Sequence, residues 1–374
     1  MSQILTQSFL HSIPKTDLHV HLDGSVRIET LLELARERKI PLPSNDPDNL
    51  KQILNIGGIH ENLESYLRVF DTTLKVLQDE DALTRTAFEL AEDAALENCR
   101  YIEVRYSPVL HQRLGLPMPV IIESVAEGLR EAKRKYGIMS GQILCGMRHM
   151  TPQTSLRLAE LAVAFKHKGV VGFDLAGAEM NNPADHHAEA FRFVRKNNLN
   201  STVHAGEAYG PRSIHQAIHD CNAHRIGHGT RLREDGDLLN YINDHRIPLE
   251  VCLKSNGQTG AVDSLENHPL RFYMDFGLRI TLNTDNRLVT DTSVTEEYVL
   301  ACQVFKLTLS EVKRLVVDGF KSAFMPFRKK REVMQKILID FDKAVQEHGL
   351  TPEETPTGVT RYAVDRIGED PLPD

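Results

Sequence analysis

Eight times along this chain a short run of β-branched and other apolar residues gives way to a helical stripe, and that alternation constrains the fold more than any other feature. The runs lie at residues 15–25, 101–106, 141–148, 170–174, 200–204, 225–228, 248–252 and 278–283. Apolar residues at i, i+3, i+4 and i+7 spacing mark helices at 26–38, 61–77, 81–98, 120–136, 155–167, 186–196, 213–219 and 235–244, with further helices at 269–275, 294–305, 309–320 and 326–348. Parallel strands must be joined by crossovers, and strand–helix alternation sustained eight times is the pattern of an α/β protein of the (β/α)8 TIM-barrel type. A doubly wound sheet is the competing architecture, but no G-x-G-x-x-G loop supports it. Extra helices are expected after the first strand and at the C-terminus. The expected organisation is one domain over residues 1–350, with a helical flap at about 44–78, and a Pro- and charge-rich tail at 351–374.

Composition excludes some partners. A formal net charge of -8 leaves no basic surplus to neutralise nucleic-acid phosphates. No apolar run approaches the length of a membrane span, and residues 1–9 lack the basic-then-apolar pattern of a secretory leader. The five cysteines are scattered and odd in number, which fits reduced thiols and a cytoplasmic protein.

Barrel enzymes assemble their sites at the C-terminal ends of the strands. In the first run His19 and His21 are two apart, so in a strand they share one face; Asp23 follows, and Gly24 lets the chain turn away. Alone, such a pair fits the solvent face of an edge strand equally well. The other strand ends add Asp174 and Gly177, His204 and Glu207, His228, and Asp285 and Asn286. Four histidines at strand ends, each beside glycine or an acid, point to a metal centre. By contrast, His186 and His187 are expected on the surface.

Three imidazoles and a carboxylate, with no thiolate, suit Zn²⁺ and leave room for a water, although other divalent metals accept nitrogen and oxygen donors. The expected ligands are His19, His21, His204 and Asp285. His228 remains to orient or deprotonate a water, and Glu207 to carry protons to the substrate. The fourth strand end, Asp174-Leu175-Ala176-Gly177, offers no lysine to bridge two metals, which favours one metal per chain. Tyr66, Leu67 and Phe70 lie on a helical stripe that serves either as core packing or as a flap over an apolar ligand.

Together these blocks resemble the adenosine/AMP/adenine deaminase group: Lys15-Thr16-Asp17-Leu18-His19-Val20-His21-Leu22-Asp23-Gly24-Ser25, Asp174-Leu175-Ala176-Gly177, His204-Ala205-Gly206-Glu207, Arg225-Ile226-Gly227-His228-Gly229 and Asn283-Thr284-Asp285. The resemblance runs from about residue 11 to 345. It implies a zinc barrel that replaces the 6-amino group of a purine with oxygen and releases ammonia. It assigns the metal to His19, His21, His204 and Asp285, protonation of purine N1 to Glu207, and removal of the water proton and support of the oxyanion to His228. It further implies that Gly177 offers its backbone N–H to N3, Asp23 accepts a ribose hydroxyl, His21 touches the sugar, and Tyr66, Leu67 and Phe70 form an apolar flap. Where the family carries a second Asp, this chain has Asn286. Purine N7 only accepts hydrogen bonds, and an asparagine donates without needing an added proton. The carboxylate of Asp23 beside the 5′ position would repel a phosphate, so the expected partner is a small purine nucleoside, adenosine or 2′-deoxyadenosine. The alternatives are 6-aminodeoxyfutalosine, adenine, or another heterocycle.

Overall fold

The computed structural model describes residues 4–55 and 69–351. Eight strands, β1 (Lys15–His21), β2 (Cys99–Tyr106), β3 (Met139–Met147), β4 (Val170–Ala176), β5 (Asn200–Ala205), β6 (Arg225–His228), β7 (Leu249–Val251) and β8 (Ile280–Leu282), pair in parallel in sequence order. The ring is closed between its last and first strands by a single bridge, Val20 to Asp285. There the Asp285 N–H donates to the His19 carbonyl (2.8 Å) and the His21 N–H to the Asp285 carbonyl (2.7 Å). Deeper in the seam the Leu18 N–H donates to Asn283 Oδ1 at 2.9 Å. This is a (β/α)8 barrel, as the alternation predicts.

The described helices are α1 (Gln7–Ser12), α2 (Ile28–Arg38), α3 (Pro47–Leu54), α4 (Phe70–Val76), α5 (Glu80–Leu96), α6 (Met118–Tyr136), α7 (Pro152–Ala164), α8 (Ala188–Lys196), α9 (Pro211–His219), α10 (Gly236–Asp244), α11 (Leu253–Gln258), α12 (Leu270–Phe276), α13 (Val294–Phe305), α14 (Leu309–Ser322) and α15 (Phe327–Glu347). Their starts follow from local chemistry. Ser293 and Thr308 each form a capping box with the glutamate three residues on. Two short helices, α1 and α11, fall outside the set expected from the sequence, and a third, α3, lies inside the helical flap expected at about 44–78 but is not expected as a separate helix. In α3, Asp46 and Pro47 read as turn residues, yet Asp46 accepts from the Asn49 N–H and Pro47 occupies the first turn, which is also how a helix begins. The helix expected at 61–77 lies partly outside the described residues, and α4 is the part that can be compared.

Strand alternation sorts side chains between two environments. On β2, Ile102 and Val104 are buried in the apolar core, whereas Glu103 and Arg105 enter a charged lattice inside the barrel. Arg225 pairs with Glu103 (2.6 Å) and Glu250 (2.5 Å), and Arg105 with Glu250 (2.9 Å) and Asp174 (3.0 Å). All five side chains are excluded from solvent. Buried ions are tolerated only when paired, and removing one partner from such a lattice costs about 3–5 kcal/mol. The lattice ends directly beneath the histidines.

Candidate active site

The strand ends bring the expected groups to one point. His21 Nε2 lies 3.1 Å from His204 Nε2 and 3.4 Å from Asp285 Oδ1. His19 Nε2 also lies 3.4 Å from Asp285 Oδ1. Asp285 and His228 both adopt positive φ (58° and 65°), a region that costs a non-glycine residue roughly 1–2 kcal/mol. Among the described residues, four whose ligand atoms all lie within 4.8 Å of one another are His19, His204, His228 and Asp285. His228 thus stands as near as the expected ligand His21, and five donors surround one centre.

The charged lattice orients two of them. His19 Nδ1 meets Glu250 Oε2 at 2.8 Å, and His204 Nδ1 meets Asp174 Oδ2 at 3.0 Å. A carboxylate on Nδ1 holds the proton there and leaves Nε2 with its lone pair facing the centre. His19 Nε2 is buried and has no hydrogen-bond partner. A pair of imidazole nitrogens 3.1 Å apart and an orphaned third, beside a carboxylate, form an N₃O set that a divalent cation satisfies. Burial favours the neutral, ligand-competent form of His21 and His204 by lowering both pKa values. Burial works to raise the Asp285 carboxyl, but His19 overturns it and holds that group well below its ordinary range.

Glu207 behaves in the opposite way. Burial pushes its carboxyl well above the ordinary range, and the carboxylates of Asp285 and Glu179 push in the same direction, against a hydrogen bond from Thr259 (2.9 Å). Surroundings that favour the protonated form suit a carboxyl to act as an acid. Its loop is fixed from below by Glu179. That carboxylate accepts the backbone N–H groups of Gly206 (2.7 Å), Glu207 (3.1 Å), Ala208 (2.7 Å) and Tyr209 (2.9 Å). His228 Nε2 faces Glu207 Oε2 at 3.5 Å.

His21, His204, Glu207, His228 and Asp285 floor a cavity of about 460 Å³ whose lining also includes Asp23, Phe70, Gly177 and Asn286, a volume suited to a small organic ligand. Asp23 is buried, its Oδ1 has no hydrogen-bond partner, and burial pushes its pKa up to about 6. Gly177 has φ +93°, and a Cβ there would meet Met147 Cε at 3.2 Å. Asn286 lies against the chain turn, since a Cβ on Gly24 would fall 1.9 Å from Asn286 Oδ1. Phe70 sits with Leu74 and Val289 in a small apolar cluster. Tyr66 and Leu67 fall outside the described residues.

The sequence model of the family described as "Adenosine deaminase" matches residues 14–339. The chain belongs to the adenosine deaminase family. Adenosine deaminase 1 of Streptomyces coelicolor is 41% identical over 342 residues, covering 87% of this chain and 86% of that protein. A probable adenosine deaminase of Dictyostelium discoideum is 39% identical over 321 residues; these are 86% of this chain but only 42% of that longer protein. Among solved structures, the N6-methyl-AMP deaminase of Arabidopsis thaliana has a TM-score of 0.79 and 31% identity, covering 92% of this chain and 100% of that one. Adenosine deaminase family membership makes this a hydrolytic deaminase acting on a purine C–N bond.

Sequence reasoning overlooked Glu250 and Glu179 as parts of this site. Glu250 sits inside a strand of only three residues, too short to show alternation. Glu179 follows β4 in a loop, where an acid looks solvated. His187 corrects another expectation. It is buried, with Nδ1 2.8 Å from Ser155 Oγ and Nε2 3.2 Å from the Arg148 carbonyl, while its neighbour His186 is exposed.

Proposed function

We propose that this deaminase converts adenosine and 2′-deoxyadenosine, with one water, to inosine and 2′-deoxyinosine plus ammonia, and that it carries one Zn²⁺ per chain. The observation that carries the reading is the pairing of an N₃O donor set with a buried carboxyl, Glu207, whose surroundings favour its protonated form, at one cavity. In this reading His19, His21, His204 and Asp285 hold the metal. When bound, the metal supplies Lewis acidity that makes water nucleophilic at neutral pH. Glu207 gives its proton to purine N1, which draws electrons from C6 and opens it to attack. Gly177, whose positive φ favours glycine, offers its N–H to N3, and Asn286 donates its amide to N7. Phe70, which lines the cavity, belongs to the apolar flap that the family resemblance also assigns to Tyr66 and Leu67, within a single barrel domain over residues 1–350.

Asp23 favours a nucleoside over a nucleotide. A buried acceptor oxygen without a partner calls for a donor on the ligand, and a sugar hydroxyl supplies one. A 5′-phosphate would bring negative charge against that carboxyl. The five unpaired thiols fit a reducing cytoplasm, and no helix among the described residues is long and apolar enough to cross a membrane.

The test is the ultraviolet absorbance change when zinc-loaded protein meets adenosine, 2′-deoxyadenosine, adenine, AMP, N6-methyl-AMP and 6-aminodeoxyfutalosine separately. The highest kcat/KM is expected for the two nucleosides. Deamination of none of the six refutes the proposal, and preference for AMP refutes the role given to Asp23. In Glu207→Gln, zinc stays bound and turnover is lost.

A further inference from the structure

We propose that His268 and Asn256 are positioning residues that fix which ring nitrogen of His228 carries the proton. Neither residue reaches the cavity, and both are buried.

The constraint begins at a group with no freedom. The backbone N–H of Leu270 is the first of helix α12, so it has no partner within the helix. It points at His268 Nδ1, 3.1 Å away. A backbone N–H can only donate, so Nδ1 of His268 must accept. Burial pushes the pKa of His268 down to about 3, so the ring is neutral and its single proton resides on Nε2. That nitrogen lies 3.2 Å from the side-chain oxygen of Asn256, which accepts. The orientation of the Asn256 amide is thereby decided, and its NH₂ faces His228 Nδ1 at 3.0 Å. Nδ1 of His228 accepts in turn, and the proton of His228 is placed on Nε2.

Each alternative puts two donors face to face. Reversing the Asn256 amide would set its NH₂ against the Nε2–H of His268. Moving the His268 proton to Nδ1 to relieve this would oppose it to the Leu270 N–H. A proton on Nδ1 of His228 would oppose the Asn256 amide. A buried donor left without an acceptor is strongly disfavoured, so the chain of bonds transmits a single choice from the backbone to the active site.

This deepens the deaminase reading and rests on it for its chemical meaning. With Nε2 protonated, His228 donates a hydrogen bond toward Glu207 and toward the oxygen arriving at C6. Its Nε2 has no lone pair to offer, so it is neither a metal ligand nor the acceptor of the water proton in this state. Of the two tasks that the family resemblance implies for His228, support of the oxyanion is the one that this arrangement favours. It also distinguishes His228 from its neighbours His19 and His204, whose Nδ1 atoms face carboxylates instead of an amide donor.

The experiment is ¹⁵N NMR of zinc-loaded protein labelled at histidine, with the His228 signals identified by their loss in His228→Gln. The expected wild-type pattern is a protonated Nε2 and an unprotonated Nδ1. Asn256→Asp keeps the shape but turns the donor into an acceptor, so Nδ1 of His228 gains a proton. That variant should lose roughly 10²-fold in kcat, with KM within threefold and zinc content unchanged. His268→Gln, which retains one donor and one acceptor, should keep more kcat than His268→Phe. A wild-type His228 protonated on Nδ1 alone overturns the inference, as does an Asn256→Asp spectrum unchanged at His228. Because the wild-type spectrum is recorded without substrate, its outcome is independent of whether adenosine is deaminated.

Discussion

Glu179→Gln tests the site where the structure is most specific. The wild-type carboxylate takes four backbone N–H groups, one on Oε1 and three on Oε2. Glutamine keeps one oxygen, and its NH₂ must face at least one N–H. If the oxygen stays with the three, the Gly206 N–H is orphaned at about 1–3 kcal/mol, and the other three bonds lose their charge assistance, which roughly halves them. Because neighbouring bonds are not additive, the net loss of order in the Glu207 loop is about 3 kcal/mol. Expressed fully in the transition state, that is roughly a 10²-fold fall in kcat/KM. A second effect has a definite sign. The Glu179 charge is one of the influences that raise the Glu207 pKa, so its removal moves the alkaline limb of the kcat/KM profile to lower pH. The assay is steady-state adenosine deamination from pH 5 to 10, with zinc content measured in parallel and expected to be unchanged. A kcat/KM within threefold of wild type, or an alkaline limb that stays in place, refutes the reasoning.

Three further outcomes follow from other parts of the molecule. Removing the metal by chelation should lower Tm by about 5 °C, the equivalent of roughly 4 kcal/mol of linked binding, and should speed amide exchange at residues 19–21 and 285; a Tm within 1 °C of the loaded protein counts against an N₃O metal site. In Asn286→Asp the new carboxyl must hold a proton to donate to N7, so kcat/KM should fall more at pH 8 than at pH 6 when each is compared with wild type, and a pH-independent ratio rejects the donor role. Glu297 is buried, and its pKa is raised to about 8 from 4.5. The folded state therefore holds a proton that the unfolded chain has released between those values, and stability falls as pH rises through that window. Glu297→Gln removes this dependence, so its stability relative to wild type should rise by up to about 4 kcal/mol from pH 5 to pH 8, measured by urea denaturation; a flat difference rejects a protonated Glu297.

The elements legible in the sequence are those whose signal is local. Long amphipathic helices such as α6 repeat their apolar stripe over five turns, and a histidine or acid bounded by glycine marks a strand end whatever the strand's length. The (β/α)8 order follows from counting such ends. What could not be read depends on closure. Glu103 and Arg105 on β2 lie 122 and 145 positions from their partners Arg225 and Glu250 but meet them inside one ring, and β7 and β8 are three residues each, too short to declare an inward face. His268 is likewise unremarkable in sequence, twelve positions from its partner Asn256, and acquires meaning only once α11 and α12 are placed.

The seam between β8 and β1 has a temporal consequence. Thr284 Oγ1 donates to Asp17 Oδ2 at 2.6 Å across 267 positions of chain, and the same seam carries the backbone bonds joining Asp285 to His19 and His21. On the ribosome, where chains emerge at about 5–20 residues per second, His19 and His21 wait through the making of nearly the whole barrel before their carboxylate exists. For that interval they are an exposed His-x-His, open to any divalent ion nearby. The same bridge that completes the ring completes the donor set, so selection of the metal is deferred until the fold itself can do the selecting.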